Sequence, residues 1–195
     1  MQHASHGQLE VICGPMFSGK SEELIRRLRR AKIAQQAVIT FKPQIDNRYG
    51  LEYVVSHNGS KVDAKPLENV FDIIQIANAN EASVIGIDEA QFFAPELVSV
   101  ICTLIHNKKR VIVAGLDLDF RGAPFGCMPA LLAIADKVTK LHAICTECGH
   151  DAHFSQRLVN GEPAKYDDPI VMIGAQEAYQ ARCRGCYSID KLFNY

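Results

Sequence analysis

The sequence predicts an α/β fold, a parallel sheet with helices on both faces, followed by a small lobe held by a metal. Three observations carry this. Apolar runs of strand length alternate with segments of helical spacing between residues 8 and 145, the signature of βαβ units. The first apolar run ends in Gly14-Pro15-Met16-Phe17-Ser18-Gly19-Lys20-Ser21, a glycine-bounded loop between a strand and a helix. Over residues 145–195 the character changes: cysteines come in two close pairs and turn residues dominate.

The elements follow in order. "QLEVIC" (8–13) reads as a buried strand, and "SEELIRRLRRAKIAQQ" (21–36) as a helix with Leu24, Ile25, Leu28 and Ala31 on one face. "AVITF" (37–41) is a second strand. Residues 42–66 are turn-rich, with Asn58-Gly59 a candidate hairpin turn. "LENVFDIIQIANA" (67–79) has helical spacing at Leu67, Val70, Ile74 and Ala77. "SVIGIDEAQFF" (83–93) is a strand that runs into acids, and "PELVSVICTLIHN" (95–107) a helix with Pro95 in its first turn. "RVIVAG" (110–115) is a further strand, "MPALLAIAD" (128–136) a short helix, and "VTKLHAIC" (138–145) the last strand of the series. Beyond it only brief β-like pieces such as "PIVMIG" remain, so the division falls between residues 144 and 145.

Composition sets limits on function. With 195 residues and 48% hydrophobic content the chain suits one domain and a small appendage. A net charge of -1 argues against an overall electrostatic pull toward nucleic acid or anionic membrane. No apolar run has the length of a membrane span, and "MQHASHGQ" carries neither a secretory leader nor an acylation signal, so a cytoplasmic location is expected. Seven cysteines, at 13, 102, 127, 145, 148, 183 and 186, do not form the even framework of a secreted disulfide protein.

Gly14 to Ser21 fits the phosphate-loop pattern G-x-x-x-x-G-K-S in its required context of strand, loop and helix. Glycines let successive N–H groups turn inward around phosphate oxygens, and the helix start adds partial positive charge. Lys20 would reach the β- and γ-phosphates of ATP, and the Ser21 hydroxyl would ligate Mg²⁺. The expected architecture is therefore a P-loop NTPase, RecA-like domain over residues 1–144 with a zinc-binding lobe over 145–195. The Arg26, Arg27, Arg29 and Arg30 run reads as a solvated helix face, because Glu22 and Glu23 precede Arg26 and Arg27 by four residues.

"VIGIDEAQFF" places Asp88 and Glu89 just past a strand. Asp88 fits the strand-end acid that holds Mg²⁺, and Glu89 a general base for whatever attacks the γ-phosphate. Attack by water would make an ATPase, and attack by a substrate hydroxyl a kinase. "GLDLDFRGAPFG" (115–126), after the next strand, offers Phe120, Phe125 and Arg121 at the ligand edge of the sheet. Phenylalanines of this kind serve either core packing or a planar ligand.

Cys145-x-x-Cys148 and Cys183-x-x-Cys186 have the spacing of a structural Cys₄ zinc site. Four thiolates leave no open coordination position, so the metal's work is mechanical: it joins the ends of the segment 149–182. Within it, "DPIVMIGAQEAY" (168–179) is either a surface hairpin or an extended strip that offers backbone groups to the edge of a base.

Together "GPMFSGKS", "IDNRY", "GIDEAQFF", "LDLDFRGAPFG", the two cysteine pairs and "VMIGAQEAY" resemble the type II thymidine kinases, small cytosolic zinc-containing nucleoside kinases, from residue 8 to about 187. The resemblance implies transfer of the ATP γ-phosphoryl to the 5′-hydroxyl of thymidine, and usually of deoxyuridine. By motif position it implies Glu89 as base, and Gly14, Pro15, Met16, Phe17, Ser18, Gly19, Lys20, Ser21, Asp46, Asn47, Arg48, Asp88 and Gln91 serving nucleotide and Mg²⁺. Met16, Leu116, Phe120, Phe125 and Ser155 would line the thymine pocket, with Ile170, Val171, Met172, Ile173, Gly174 and Tyr179 on a lasso that grips the base. It also implies a homotetramer and inhibition by dTTP, the triphosphate end product. The chain departs from the family in Glu22, where many members have Thr, and in Gly174-Ala175, where some have Gly-Gly. A motor ATPase shares the phosphate loop and the Asp-Glu strand end with this chain, and a zinc-ribbon binding module shares the cysteine pairs. The first would need further ATPase motifs, and the second a basic, aromatic strip between the cysteine pairs.

Overall fold

The structure is a computed structural model and describes residues 6–44, 53–55, 59, 61–170 and 177–191. Its first half consists of β1 (Gln8–Cys13), α1 (Lys20–Ile33), β2 (Val38–Pro43), β3 (Tyr53–Val55), β4 (Lys61–Asp63), β5 (Lys65–Leu67), α2 (Asp72–Ala79) and β6 (Val84–Ile87). Then come a 3₁₀ turn at Ala90–Phe92, α3 (Leu97–His106), β7 (Arg110–Gly115), α4 (Met128–Ile134) and β8 (Lys137–Lys140). Among the described residues six strands form one sheet in the order β5-β2-β6-β7-β1-β8, each neighbouring pair parallel.

Strand alternation decides which core each residue serves. Leu9, Val11 and Cys13 of β1, Ile85 and Ile87 of β6, and Val111 and Val113 of β7 meet α2, α3 and α4 through Ile73, Ala77, Leu97, Ile101, Met128 and Leu131. Ile12, Val84, Ile112 and Ala114 point the other way, to Leu24, Ile25, Leu28 and Ala31 of α1 and to Val54 and Val62 of the β3–β4 hairpin. Both sheet faces are therefore covered, which is why these strands read as continuous apolar runs.

The structure revises three readings. Leu67 ends β5, and the following helix begins only at Asp72; the apolar spacing of 67–74 spans a strand end and a helix start. The run 138–145 divides: β8 belongs to the large sheet, whereas β9 (Ala143–Ile144) pairs with β10 (Asp151–Ala152). Arg27 does not lie on a solvated face. It is 6% exposed and donates to Glu10 at 2.7 Å and Thr139 at 2.9 Å, while Glu23 accepts from both Arg26 and Arg27. Glu10 is the polar residue that β1 turns toward α1, and a buried carboxylate needs a partner.

Beyond β10, β11 (Phe154–Val159) pairs antiparallel with β12 (Glu162–Pro163) and β13 (Glu177–Arg182). A tie to the large sheet's edge runs from the Met16 N–H to the Ser155 hydroxyl, at 2.9 Å. Among the described residues no helix is long and apolar enough to cross a membrane.

Candidate active site

In parallel β1, β7 and β6 the carboxyl ends share one edge, which brings residues 14–21, 88–91 and 116–126 together. The phosphate loop takes its shape from its glycines. Gly14 has φ +141°, and a Cβ there would lie 2.3 Å from the Leu141 carbonyl oxygen. Gly19, with φ +81°, is the N-cap residue just before α1. The Lys20 ammonium donates to the Pro15 carbonyl at 2.7 Å, and the Ser18 hydroxyl to the same oxygen at 2.8 Å. Burial pushes the Lys20 pKa down, opposed by the charges of Glu89, Asp88 and Asp117.

The Ser21 hydroxyl donates to Asp88 Oδ2 at 3.0 Å, joining the end of the loop to the end of β6. Burial, and next the Glu89 charge, raise the Asp88 pKa well above the usual carboxylate range. Two crowded carboxylates beside a hydroxyl suit a hard cation with oxygen ligands. Glu89 occupies the left-handed region at φ +52°, ψ +41°. That conformation costs a non-glycine residue about 1–2 kcal/mol, and such strain gathers at functional sites. The Glu89 carboxylate accepts from the Gln91 amide at 2.5 Å.

Four sulfurs complete the layout. The Sγ atoms of Cys145, Cys148, Cys183 and Cys186 lie within 4.8 Å of one another, with Cys148 and Cys183 at 3.5 Å. Tetrahedral zinc with Zn–S near 2.3 Å needs sulfurs about 3.8 Å apart, so the cluster fits that ion. Each pair sits on a tight turn, closed by Gly149 N–H to Cys145 O and Tyr187 N–H to Cys183 O, both at 2.9 Å.

The profile of the family described as "Thymidine kinase" matches residues 7–187. A protein named thymidine kinase, from Coprothermobacter proteolyticus, is 62% identical over 177 residues, 91% of this chain and 88% of its own length. The chain belongs to the thymidine kinase family. Among solved structures, the flagellar accessory protein FlaH from Methanocaldococcus jannaschii matches with a TM-score of 0.51 at 15% identity, over 75% of this chain and 76% of that one. That likeness concerns the fold alone. The ATPase DotB of Legionella pneumophila matches more loosely, with a TM-score of 0.43 at 18% identity over 67% of this chain and 35% of the other.

For a thymidine kinase family member, the expected site residues divide as follows. Gly14 to Ser21, Asp88, Glu89 and Gln91 gather at one sheet edge with Leu116. Gln91 is 3% exposed and bonds inside the protein to Glu89 and to the Leu116 N–H. Phe120 is buried and Phe125 half-buried, the latter edge-on to Phe92 with centroids 5.4 Å apart. The Ser155 hydroxyl accepts from the Met16 N–H, so it links loop and lobe. Tyr179 lies across from Arg157 in the β11–β13 register, and Ile170 is 36% exposed. Asp46, Asn47, Arg48, Val171, Met172, Ile173 and Gly174 lie outside the described residues.

Two residues near this site escaped the sequence reading. Arg157 is fully buried; its guanidinium lies 4.9 Å from the Phe120 ring centroid and donates to the Pro169 carbonyl at 2.5 Å. Asp117 is 6% exposed and pairs with Lys140 at 2.8 Å. The period of "LDLD" hints at an inward acid, but nothing in "FSQRLV" distinguishes a buried arginine from a surface one.

Proposed function

We propose that this protein transfers the γ-phosphoryl of ATP to the 5′-hydroxyl of thymidine, and of deoxyuridine, with Glu89 as the base. The observation that carries the reading is the adjacency at the end of β6: Asp88 bonded to Ser21 of the phosphate loop, and Glu89 beside it in a strained backbone conformation. Family membership over residues 7–187 supports the substrate pair.

The chain's own groups do the following. Loop amides of Gly14 to Ser21 cradle the phosphates, and Lys20 offsets charge that develops on the β–γ bridging oxygen. Glu89 takes the proton of the 5′-hydroxyl as its oxygen bonds to the γ-phosphorus and the bond to ADP breaks. In this reading Met16, Leu116, Phe120, Phe125 and Ser155, with Ile170 to Gly174 and Tyr179, are the residues that recognise the base. Gathering both substrates in line supplies most of the rate. Ser21 and Asp88 would hold Mg²⁺, which neutralises phosphoryl charge when bound. Asp46, Asn47 and Arg48 complete the phosphate side.

Cys145, Cys148, Cys183 and Cys186 would hold zinc, which would clasp the lasso lobe, residues 145–195, as a unit distinct from the α/β domain of residues 1–144. The working form in this reading is a cytoplasmic homotetramer inhibited by dTTP, without a nucleic-acid or membrane partner. Glu89→Gln tests the central assignment: ATP and thymidine still bind, while turnover falls by ~10²–10⁴. Near-normal kcat in that enzyme excludes the role. Phosphate released from ATP without thymidine monophosphate, in the unaltered protein, would instead favour a hydrolase.

A further inference from the structure

Gln91 stands in the "DEAQ" stretch and was expected among the nucleotide ligands, yet its surroundings give it a different task. It lies on the 3₁₀ turn Ala90–Phe92 and is 3% exposed. Its side-chain carbonyl accepts the N–H of Leu116, the first residue past β7, at 2.9 Å. Its NH₂ group donates to Glu89 Oε2 at 2.5 Å. A primary amide has one accepting end and one donating end. Since Leu116 offers a donor, the oxygen must face Leu116, and the NH₂ is thereby turned toward the carboxylate. The reversed amide would set N–H against N–H and oxygen against oxygen. Sheet geometry therefore dictates the direction of the donor.

The turn is clamped as well as keyed. A Cβ on Gly115 would lie 2.8 Å from Gln91 Oε1, and one on Gly126 would lie 2.3 Å from the Gln91 carbonyl oxygen. The Cys127 thiol donates to the Ala90 carbonyl at 3.2 Å. The stretch 115–127 thus packs along both the side chain and the backbone of Gln91. Glu89 itself sits at φ +52°, outside any helix or strand that would orient its side chain.

We propose that Gln91 is a positioning residue: held by the Leu116 N–H, it fixes the Glu89 carboxylate by engaging Oε2 and leaves Oε1 for the substrate hydroxyl. This rests on the assignment of Glu89 as base. It also makes one backbone position, Leu116, serve both the base pocket and the aim of the carboxylate. Small misplacements of a reacting group are costly, on the order of 10²-fold in rate for ~1 Å.

The test uses the full-length enzyme with ATP and thymidine. Gln91→Met keeps length and loses both bonds; kcat falls ~10–100-fold with the KM values for ATP and thymidine within about twofold of the starting enzyme. Gln91→Glu restores an acceptor for Leu116 but opposes Glu89 with a second acid, and its kcat falls at least as far. In the Glu89→Gln background, Gln91→Met causes no further loss, because the group it aims is already gone. Binding of ATP to each variant, by calorimetry, establishes that it is folded. A raised ATP KM with intact kcat in Gln91→Met, wild-type kcat in Gln91→Glu, or an additive loss in the double variant overturns the proposal. Full turnover in Glu89→Gln alone overturns the base assignment and this proposal with it. An inactive Glu89→Gln enzyme beside a fully active Gln91→Met enzyme overturns this proposal only.

Discussion

Replacing Arg157 with Met removes the charge while keeping most of the side chain's bulk. Among the described residues the guanidinium makes contacts that Met cannot, including a bond to the Pro169 carbonyl at 2.5 Å and a face contact with Phe120 at 4.9 Å. A hydrogen bond from a charged donor is worth about 1.5–3 kcal/mol, and a desolvated cation–π contact about 0.5–2 kcal/mol. Part of the loss falls on the stability of the lobe whether or not substrate is present. On the proposed function the remainder acts on base binding, because Pro169 precedes Ile170 and Phe120 is one of the residues proposed to line the base. If about 1.4–2.8 kcal/mol of it is felt in binding, the thymidine KM rises ~10–100-fold. The ATP KM should stay within about twofold, because neither contact involves Gly14 to Ser21. The assay is steady-state kinetics with each substrate varied at saturation of the other, with thermal melting as a check on folding. Arg157→Lys should recover only part of the effect, since an ammonium lacks the planar fork and stacks less well. A folded Arg157→Met enzyme with an unchanged thymidine KM, or with both KM values raised alike, would refute the account.

If the four cysteines hold zinc as proposed, stripping it with a chelator should raise the thymidine KM more than the ATP KM, because the cysteine turns bracket β11 and β13 and not the phosphate loop; metal analysis beside the kinetics checks this, and an unaltered thymidine KM after proven metal loss counts against the clasp. Arg27→Ala should destabilise the fold by about 3–5 kcal/mol, toward the lower end because Arg110 still reaches Glu10 at 2.6 Å. Denaturant midpoints measure it, and turnover per folded molecule should be unaffected.

Much of the architecture was legible in the residues because the relevant physics is local. The strand–loop–helix at 8–33 needs glycine where the loop turns, an apolar strand before it and periodic apolar residues after it, and all of these are neighbours in the chain. The acids after β6 and the two cysteine pairs are similarly short patterns. Errors arose where one stretch served two elements. Residues 138–145 look like one strand because both halves are suited to extended structure, and only their pairing partners, β1 on one side and β10 on the other, divide them. Arg27 misled for a related reason: i,i+4 spacing to Glu23 is present, but its burial depends on Glu10, 17 residues away on β1.

The linear code by itself determined the phosphate loop, the main strand–helix alternation, the carboxylates at 88 and 89, and the four metal-suited thiols. Each is a choice of residue type at short spacing, enforced by backbone sterics or ligand chemistry. Tertiary structure alone decided that Ser155 caps the Met16 N–H, that Arg157 lies under Phe120, and that Gln91 hangs between Leu116 and Glu89. Those contacts join residues 139, 37, 25 and 2 positions apart. Even the shortest of them owes its direction to a distant N–H. A hydrogen bond depends on where two atoms come to rest in space, and chain separation carries no record of that.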